Sequence, residues 1–375
     1  MKKLLLVAAL LLAGGVLQAE PTRNGPRAPG DMNVWRTTSP ISRAGAVWIS
    51  SSPFIHEIIV SSPAGVSAAT AAVLTIYAET PGSEVEPDAS TILARIQLSS
   101  IALTNTEFPK IWNFDTRAAT SISVNVSSGA VEDGAAFVSM TYMDKTMPSN
   151  FKVWNSSFIN VNNSTHTIAK GPVLLHKISV FKKAATQNTD LRIFNCHATQ
   201  IDTCGTGANL ISQIDLSTQA REWDYDILLS SGLTINSELA NADIAVFYKT
   251  NPGSEYEYWT PHFASGTVEA GINRSRVVTH NNLQGRVVFG GILNGDTDTT
   301  SHIMVFDLIG DNVASTGPSV TNYFGQVNRA HRIAHATGWN VFDFDDVRYE
   351  VSTASGMGIR TEGAGQWTIR YRKLR

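Results

Sequence analysis

Hydrophobic and polar positions alternate along this chain in short runs and do not recur every three or four residues. In LTIY (74–77), LRIF (191–194) and IMVF (303–306), the pairs Leu74 and Ile76, Leu191 and Ile193, and Ile303 and Val305 share one face. The aromatics Tyr77, Phe194 and Phe306 fall on the other. An extended backbone puts residues i and i+2 on the same side, so this period of two predicts half-buried strands. Gly, Ser, Asn and Asp clusters bound the runs, as turns require. Helical periodicity is nearly missing, and the alanine-rich patch Ala68–Ala72 reads as a loop.

The runs repeat in a fixed order. FIHEIIV (54–60), LLHKISV (174–180) and VVFGGIL (287–293) precede the three strands just named. ARIQLSS (94–100), SQIDLST (212–218) and HRIAHAT (331–337) follow them, and then come WNFD (112–115), WDYD (223–226) and FDFD (342–345). Each copy closes on a tyrosine strand carrying Tyr142, Tyr248 or Tyr371, and opens near a tryptophan, Trp35, Trp154 or Trp259. Blocks kept in one order three times indicate tandem modules of about 110 residues, a size that can bury its own core.

The expected fold is all-β: three tandem antiparallel β-sandwich, jelly-roll-like modules over 34–146, 147–250 and 251–375. A membrane barrel is disfavoured because the strands are shorter than the roughly 9–11 residues needed to span. SSGLTI (230–235) followed by ADIAVFY (242–248) carries a more specific pattern. Over Pro172–Lys249 it resembles the small β-sandwich modules of phage virion structural proteins and of uncharacterised bacterial secreted proteins. That resemblance implies structural or adhesive roles and supplies no catalytic residues.

Residues 1–19, MKKLLLVAALLLAGGVLQA, have two lysines, an apolar run and a small residue at the end, the pattern of a secretory signal peptide. No later segment approaches transmembrane length. The expected location is therefore secreted, periplasmic or at the cell surface. Residues 20–33, with three prolines and two glycines, read as a flexible arm.

Of the 375 residues, 29 are Lys or Arg and 32 are Asp or Glu, a net charge of −3. Such a balance lacks the basic face that a nucleic-acid partner would require. Cys196 and Cys204 are the only cysteines, and an oxidising compartment pairs them. Zinc at this pair with His197 would lack a fourth local ligand. His331 and His335 fall on a strand, where four residues span about 13 Å, too far to chelate one ion. His56 and His176 match in position, with Phe289 in the third copy, and read as a packing slot. Asp224 with Asp226, and Asp343 with Asp345, have strand spacing compatible with a glycosidase pair. Their recurrence, with Asp115 in the first copy, reads as architecture. Asn294, Asp296, Asp298 and Thr300 alternate like the start of a Ca²⁺ loop, the one cofactor the sequence suggests. No phosphate loop, nucleophile elbow or dinucleotide fingerprint occurs.

The chain thus reads as an exported, non-enzymatic structural or adhesive protein, a subunit of an extracellular or cell-surface assembly. Its partner is itself, as a homo-oligomer or polymer, or a surface glycan. One alternative is a carbohydrate-binding module array using Tyr256, Tyr258 and Trp259. The other is a secreted glycoside hydrolase.

Overall fold

In the computed structural model the described residues are 36–37, 46–49, 53–61, 73–78, 91–97, 110–118, 121–126, 137–143, 152–185, 190–197, 204, 209–217, 220–237, 241–265, 274–277, 287–295, 302–308, 330–337, 343–344, 350–353, 357–362 and 365–373. Residues 1–35, with the expected signal peptide and arm, lie outside them.

Among the described residues every regular element is a strand. Module 1 holds β1 (Arg36–Thr37), β2 (Ala46–Ile49), β3 (Phe54–Ser61), β4 (Val73–Tyr77), β5 (Ile92–Gln97), β6 (Lys110–Arg117), β7 (Ile122–Val126) and β8 (Phe137–Met143). Module 2 holds β9 (Asn155–Val161), β10 (Thr165–Lys170), β11 (Val173–Lys182), β12 (Asp190–Phe194), β13 (Leu210–Asp215), β14 (Glu222–Leu229), β15 (Gly232–Ser237) and β16 (Ala242–Thr250). Module 3 holds β17 (Thr260–Ser265), β18 (Arg274–Val277), β19 (Val287–Asn294), β20 (His302–Leu308), β21 (Ala330–Thr337), β22 (Val351–Ser352), β23 (Met357–Glu362) and β24 (Gln366–Lys373).

Each set of eight strands forms two four-stranded antiparallel sheets in one repeated order. Counting strands within a set, one sheet runs first-eighth-third-sixth and the other second-seventh-fourth-fifth. This double Greek-key order defines a jelly roll, so the expected architecture holds down to connectivity. The sixth and fifth strands of each set lie at edges of its two sheets, and the sandwich is open between them.

Cross-strand register fixes the correspondence between copies. Ile55, Leu175 and Phe289 pair with Tyr142, Tyr248 and Tyr371. The third strand then bulges at the next residue in every copy, before Glu57, Lys177 and Gly291. Across from the bulge stand Asp115, Asp226 and Glu350, all in the left-handed backbone region at φ 44°, 49° and 45°. LTIY, LRIF and IMVF correspond as the sequence suggests.

The third copy differs from the sequence alignment elsewhere. Gly290, not Phe289, matches His56 and His176. The left-handed position is Glu350, not Asp345 of FDFD. Arg95 and Gln213 are matched by His335, not Arg332, since these residues face Thr75, Arg192 and Met304. His331 and His335 do lie on one strand, β21. A bulge shifts every later residue by one, and period-two patterning cannot count such insertions across dissimilar loops.

Candidate functional site: the two module junctions

The unusual burial in this protein lies between modules. The strand β16, buried at each of its first six residues, is covered on both faces. Ile244 and Val246 fill the core of module 2, while Ala245 and Phe247 pack into the cluster of module 1. Here an ordinary sandwich strand would alternate buried and solvated residues. The outer face of the first sheet of module 2 caps the open side of module 1. Phe181 stacks on Phe114 with ring centroids 5.8 Å apart and meets Trp112 at 6.0 Å. Phe247 meets Phe114 edge-on at 5.2 Å.

Polar groups fix this contact. Arg95 of β5 donates through Nε and Nη2 to the two carboxylate oxygens of Asp243, at 2.7 and 2.6 Å. Asn160 donates to the same carboxylate at 2.7 Å. The Asp243 side chain is 1% exposed and that of Arg95 33%. Hydrogen bonding to Asp243, partly opposed by desolvation, raises the Arg95 pKa further above its ordinary value. Lys177, 3% exposed, reaches the Asn113 carbonyl of module 1 and Glu222 at 2.8 Å.

The tryptophan that opens each following module then locks the junction. Trp154 donates its N–H to the carbonyl of Asp115 at 3.0 Å and forms a parallel bridge with Thr116. Its ring stacks on His176 at 4.1 Å with planes 9° apart. His176 is the bulge residue of β11, and its Nδ1 lies 2.6 Å from Asp226 Oδ1. His56 and Asp115 make the same pair at 2.6 Å in module 1. The left-handed turn at the aspartate aims its carbonyl away from its own sheet, and the side chain holds the bulge.

The second junction repeats the device. Trp259 donates to the Asp226 carbonyl at 2.7 Å and accepts from the Leu228 N–H at 3.0 Å. Gly290 replaces the histidine because the Trp259 ring occupies its place; a Cβ there would stand 2.6 Å from Cζ3 of that ring. Arg372 and Arg370 lie 3.9 and 5.4 Å from the ring centroid. Phe344 enters the core of module 2 against Tyr225, and Asp343 accepts from Arg221 at 3.1 Å. Thr368 of β24 donates to the Ile211 carbonyl at 3.1 Å.

The residues expected to carry chemistry are placed as follows. Tyr256 is 7% exposed and meets the Trp154 ring edge-on at 5.2 Å; Trp259 is 6% exposed. Only Tyr258, at 38%, presents its side chain to solvent, so the three do not form one exposed aromatic platform. Cys196 and Cys204 form a disulfide with Cα atoms 5.8 Å apart, packed with Phe194 and Leu210. Asn294 is buried at the end of β19, whereas Asp296, Asp298 and Thr300 lie outside the described residues, as does Asp345. Among the described residues no three His, Cys, Asp or Glu side chains come together as a metal site. Among them, too, no helix is long and apolar enough to cross a membrane. The sequence reading missed Arg95, Asp243 and Lys177. For Asp243 and Lys177 the signal was a charged residue on a strand otherwise buried on both faces; Arg95, on the half-buried β5, carried no such signal.

An open groove of about 530 Å³ runs along the first junction, lined by Arg95, Phe158, Asn160 and His166 among others. Burial lowers the His166 pKa.

No family model and no curated protein matches the chain. Among solved structures, a fucolectin from striped bass (Morone saxatilis) serum is 9% identical, over 58% of this chain and 86% of that one, with a TM-score of 0.19. The lipid-containing bacteriophage PM2 supplies another, 11% identical over 88% of this chain and 100% of that one, with a TM-score of 0.16.

Proposed function

We propose that this chain is an exported, non-catalytic structural protein, a subunit of an extracellular or cell-surface assembly. The observation that carries the reading is the repeated junction. Two successive contacts use the same strands, the same left-handed acidic turn and the same opening tryptophan to fix one jelly roll against the next. Tandem domains joined only by a linker move relative to one another by default. Here the chain instead seals the open sandwich sides of modules 1 and 2 with the following module. Two of the aspartates that suggested catalysis have partners compatible with this reading: Asp226 holds His176, as Asp115 holds His56 in module 1, and Asp343 holds Arg221. The Cys196–Cys204 bond suits an oxidising compartment.

A second reading, binding of a surface glycan, is favoured by the groove beside Arg95, Phe158, Asn160 and His166. One set of measurements separates these readings. The exported chain is imaged by negative-stain microscopy, screened on a glycan array and incubated with chromogenic glycosides. The structural reading expects ordered assemblies without turnover. Saturable binding to one glycan that Phe158→Ala abolishes, in a chain that forms no assembly, would favour the second reading. Hydrolysis of a glycoside would overturn both.

A further inference from the structure

Both junctions are instances of one contact between unlike surfaces. The open side between the fifth and sixth strands of one module meets the outer face of the first sheet of the next. A heterologous contact repeated along an array leaves a different half of itself at each end.

Module 1 presents one half. In module 2 the outer-face positions Ser179 and Ala245 are 0% exposed, and in module 3 their counterparts Leu293 and Thr368 are 0% and 1% exposed. The counterparts in module 1, Ile59 and Ser139, are both partly exposed. Beside Ile59, and paired with it across the sheet, Ile111 is 41% exposed, the largest value for a big apolar side chain among the described residues. Module 3 presents the other half. Glu350 has the left-handed backbone of Asp115 and Asp226, whose carbonyls receive Trp154 and Trp259. Ser352 corresponds to Leu228, whose N–H binds the Trp259 carbonyl. Because Thr353 directs its N–H to Val287, the Ser352 N–H points away from β19. Glu350 and Ser352 are exposed. Among the described residues no module precedes β1 or follows β24.

We propose that the Ile59 and Ile111 face of module 1 docks head to tail on the β22 edge of module 3 in a second copy of this chain. The inference rests on the structural reading above and names the contact within that assembly. Arg36, Asn155 and Thr260 pair with the equivalent tyrosines of their modules. Trp35 therefore holds the sequence position of Trp154 and Trp259, whose backbones meet the equivalent edges of modules 1 and 2. Such a contact does not close on itself in a dimer, so it extends into a linear or helical polymer.

The test uses the full chain recovered after export, followed by sedimentation velocity across a concentration series. Wild type is expected to form a ladder of growing species. Ile111→Glu removes one half of the contact, and Ser352→Pro removes the outward N–H without breaking the bond from Thr353 to Val287. Each variant alone is expected to be monomeric with a wild-type melting temperature. Mixed together they are expected to stop at a dimer, because each retains the half that the other lacks. Should Ser352→Pro lower the melting temperature, Ser352→Lys crowds the same edge and replaces it. A monomeric wild type at its highest soluble concentration, or a mixture without dimer, overturns the proposal. Variants that assemble as wild type does also overturn this contact, while leaving the structural reading, which glycoside turnover would refute, in place.

Discussion

Replacing Arg95 by alanine strikes the polar half of the first junction. Asp243 is 1% exposed and accepts two bonds from Arg95 and one from Asn160, so Arg95→Ala leaves a buried carboxylate with Asn160 as its remaining cross-strand donor. Removing one partner of a fully buried pair costs about 3–5 kcal/mol. Arg95 is itself 33% exposed and borders the groove, so water entering from that side reduces the expected cost to about 2–3 kcal/mol. Asp243→Asn leaves a neutral amide and an arginine that can rehydrate, for about 1–2 kcal/mol. The double variant Arg95→Ala with Asp243→Asn removes both charges and is expected to lose less than the two single losses combined, with a coupling near 2 kcal/mol. Urea unfolding followed by tryptophan fluorescence measures each value, and Trp154 reports from the junction itself. Because the pair joins two modules, Arg95→Ala should also split one unfolding transition into two. A coupling energy below about 0.5 kcal/mol would refute the reasoning. The junction would then be held by its aromatics alone, with the ion pair screened by solvent.

Trp259→Ala should cost about 3–5 kcal/mol and open the segment between modules 2 and 3 to limited proteolysis, whereas a purely local role would leave the cleavage pattern unchanged. Gly232→Ala should cost about 1–3 kcal/mol, since the residue sits at φ 140° and a Cβ would lie 2.8 Å from the Cys196 carbonyl oxygen. Replacing both cysteines by serine should lower stability by about 2–3 kcal/mol through the short loop they close, read as a shift of the urea midpoint in module 2. Burial holds the phenol of Tyr225 protonated well above its ordinary pKa. The unfolded chain ionises near pH 10, so this stabilisation is full below that pH and lost above it. Tyr225→Phe should flatten the alkaline fall in melting temperature. His166 has the opposite sign: burial lowers its pKa, so stability present above about pH 6.5 falls as acid protonates the unfolded chain preferentially, and His166→Gln should remove that acid slope.

Period-two patterning suffices for strands such as LTIY and LRIF, because a sandwich has one apolar face per strand and the alternation records it. It fails for β11 and β16, whose near-continuous burial marks sheets covered on both sides. Phe181, Phe247 and Lys177 were therefore hard to assign: the same alternation serves a core on one face and a neighbouring module on the other. The aromatic cluster Tyr256, Tyr258 and Trp259 misled for a related reason. A tryptophan in a linker has the same composition signature whether it awaits a sugar or fills a seam. Only the position of the Gly290 backbone beneath the Trp259 ring distinguishes the two.

Local chain chemistry thus determined the strands, their triplication and the cysteine pair, since each depends on residues close together in sequence. Three-dimensional packing decided the rest. The bulge register, the left-handed Asp115, Asp226 and Glu350, and the Arg95 clamp on Asp243 join residues from distant segments. Their energies arise only when water is expelled between folded modules, and no local pattern records a surface that does not yet exist.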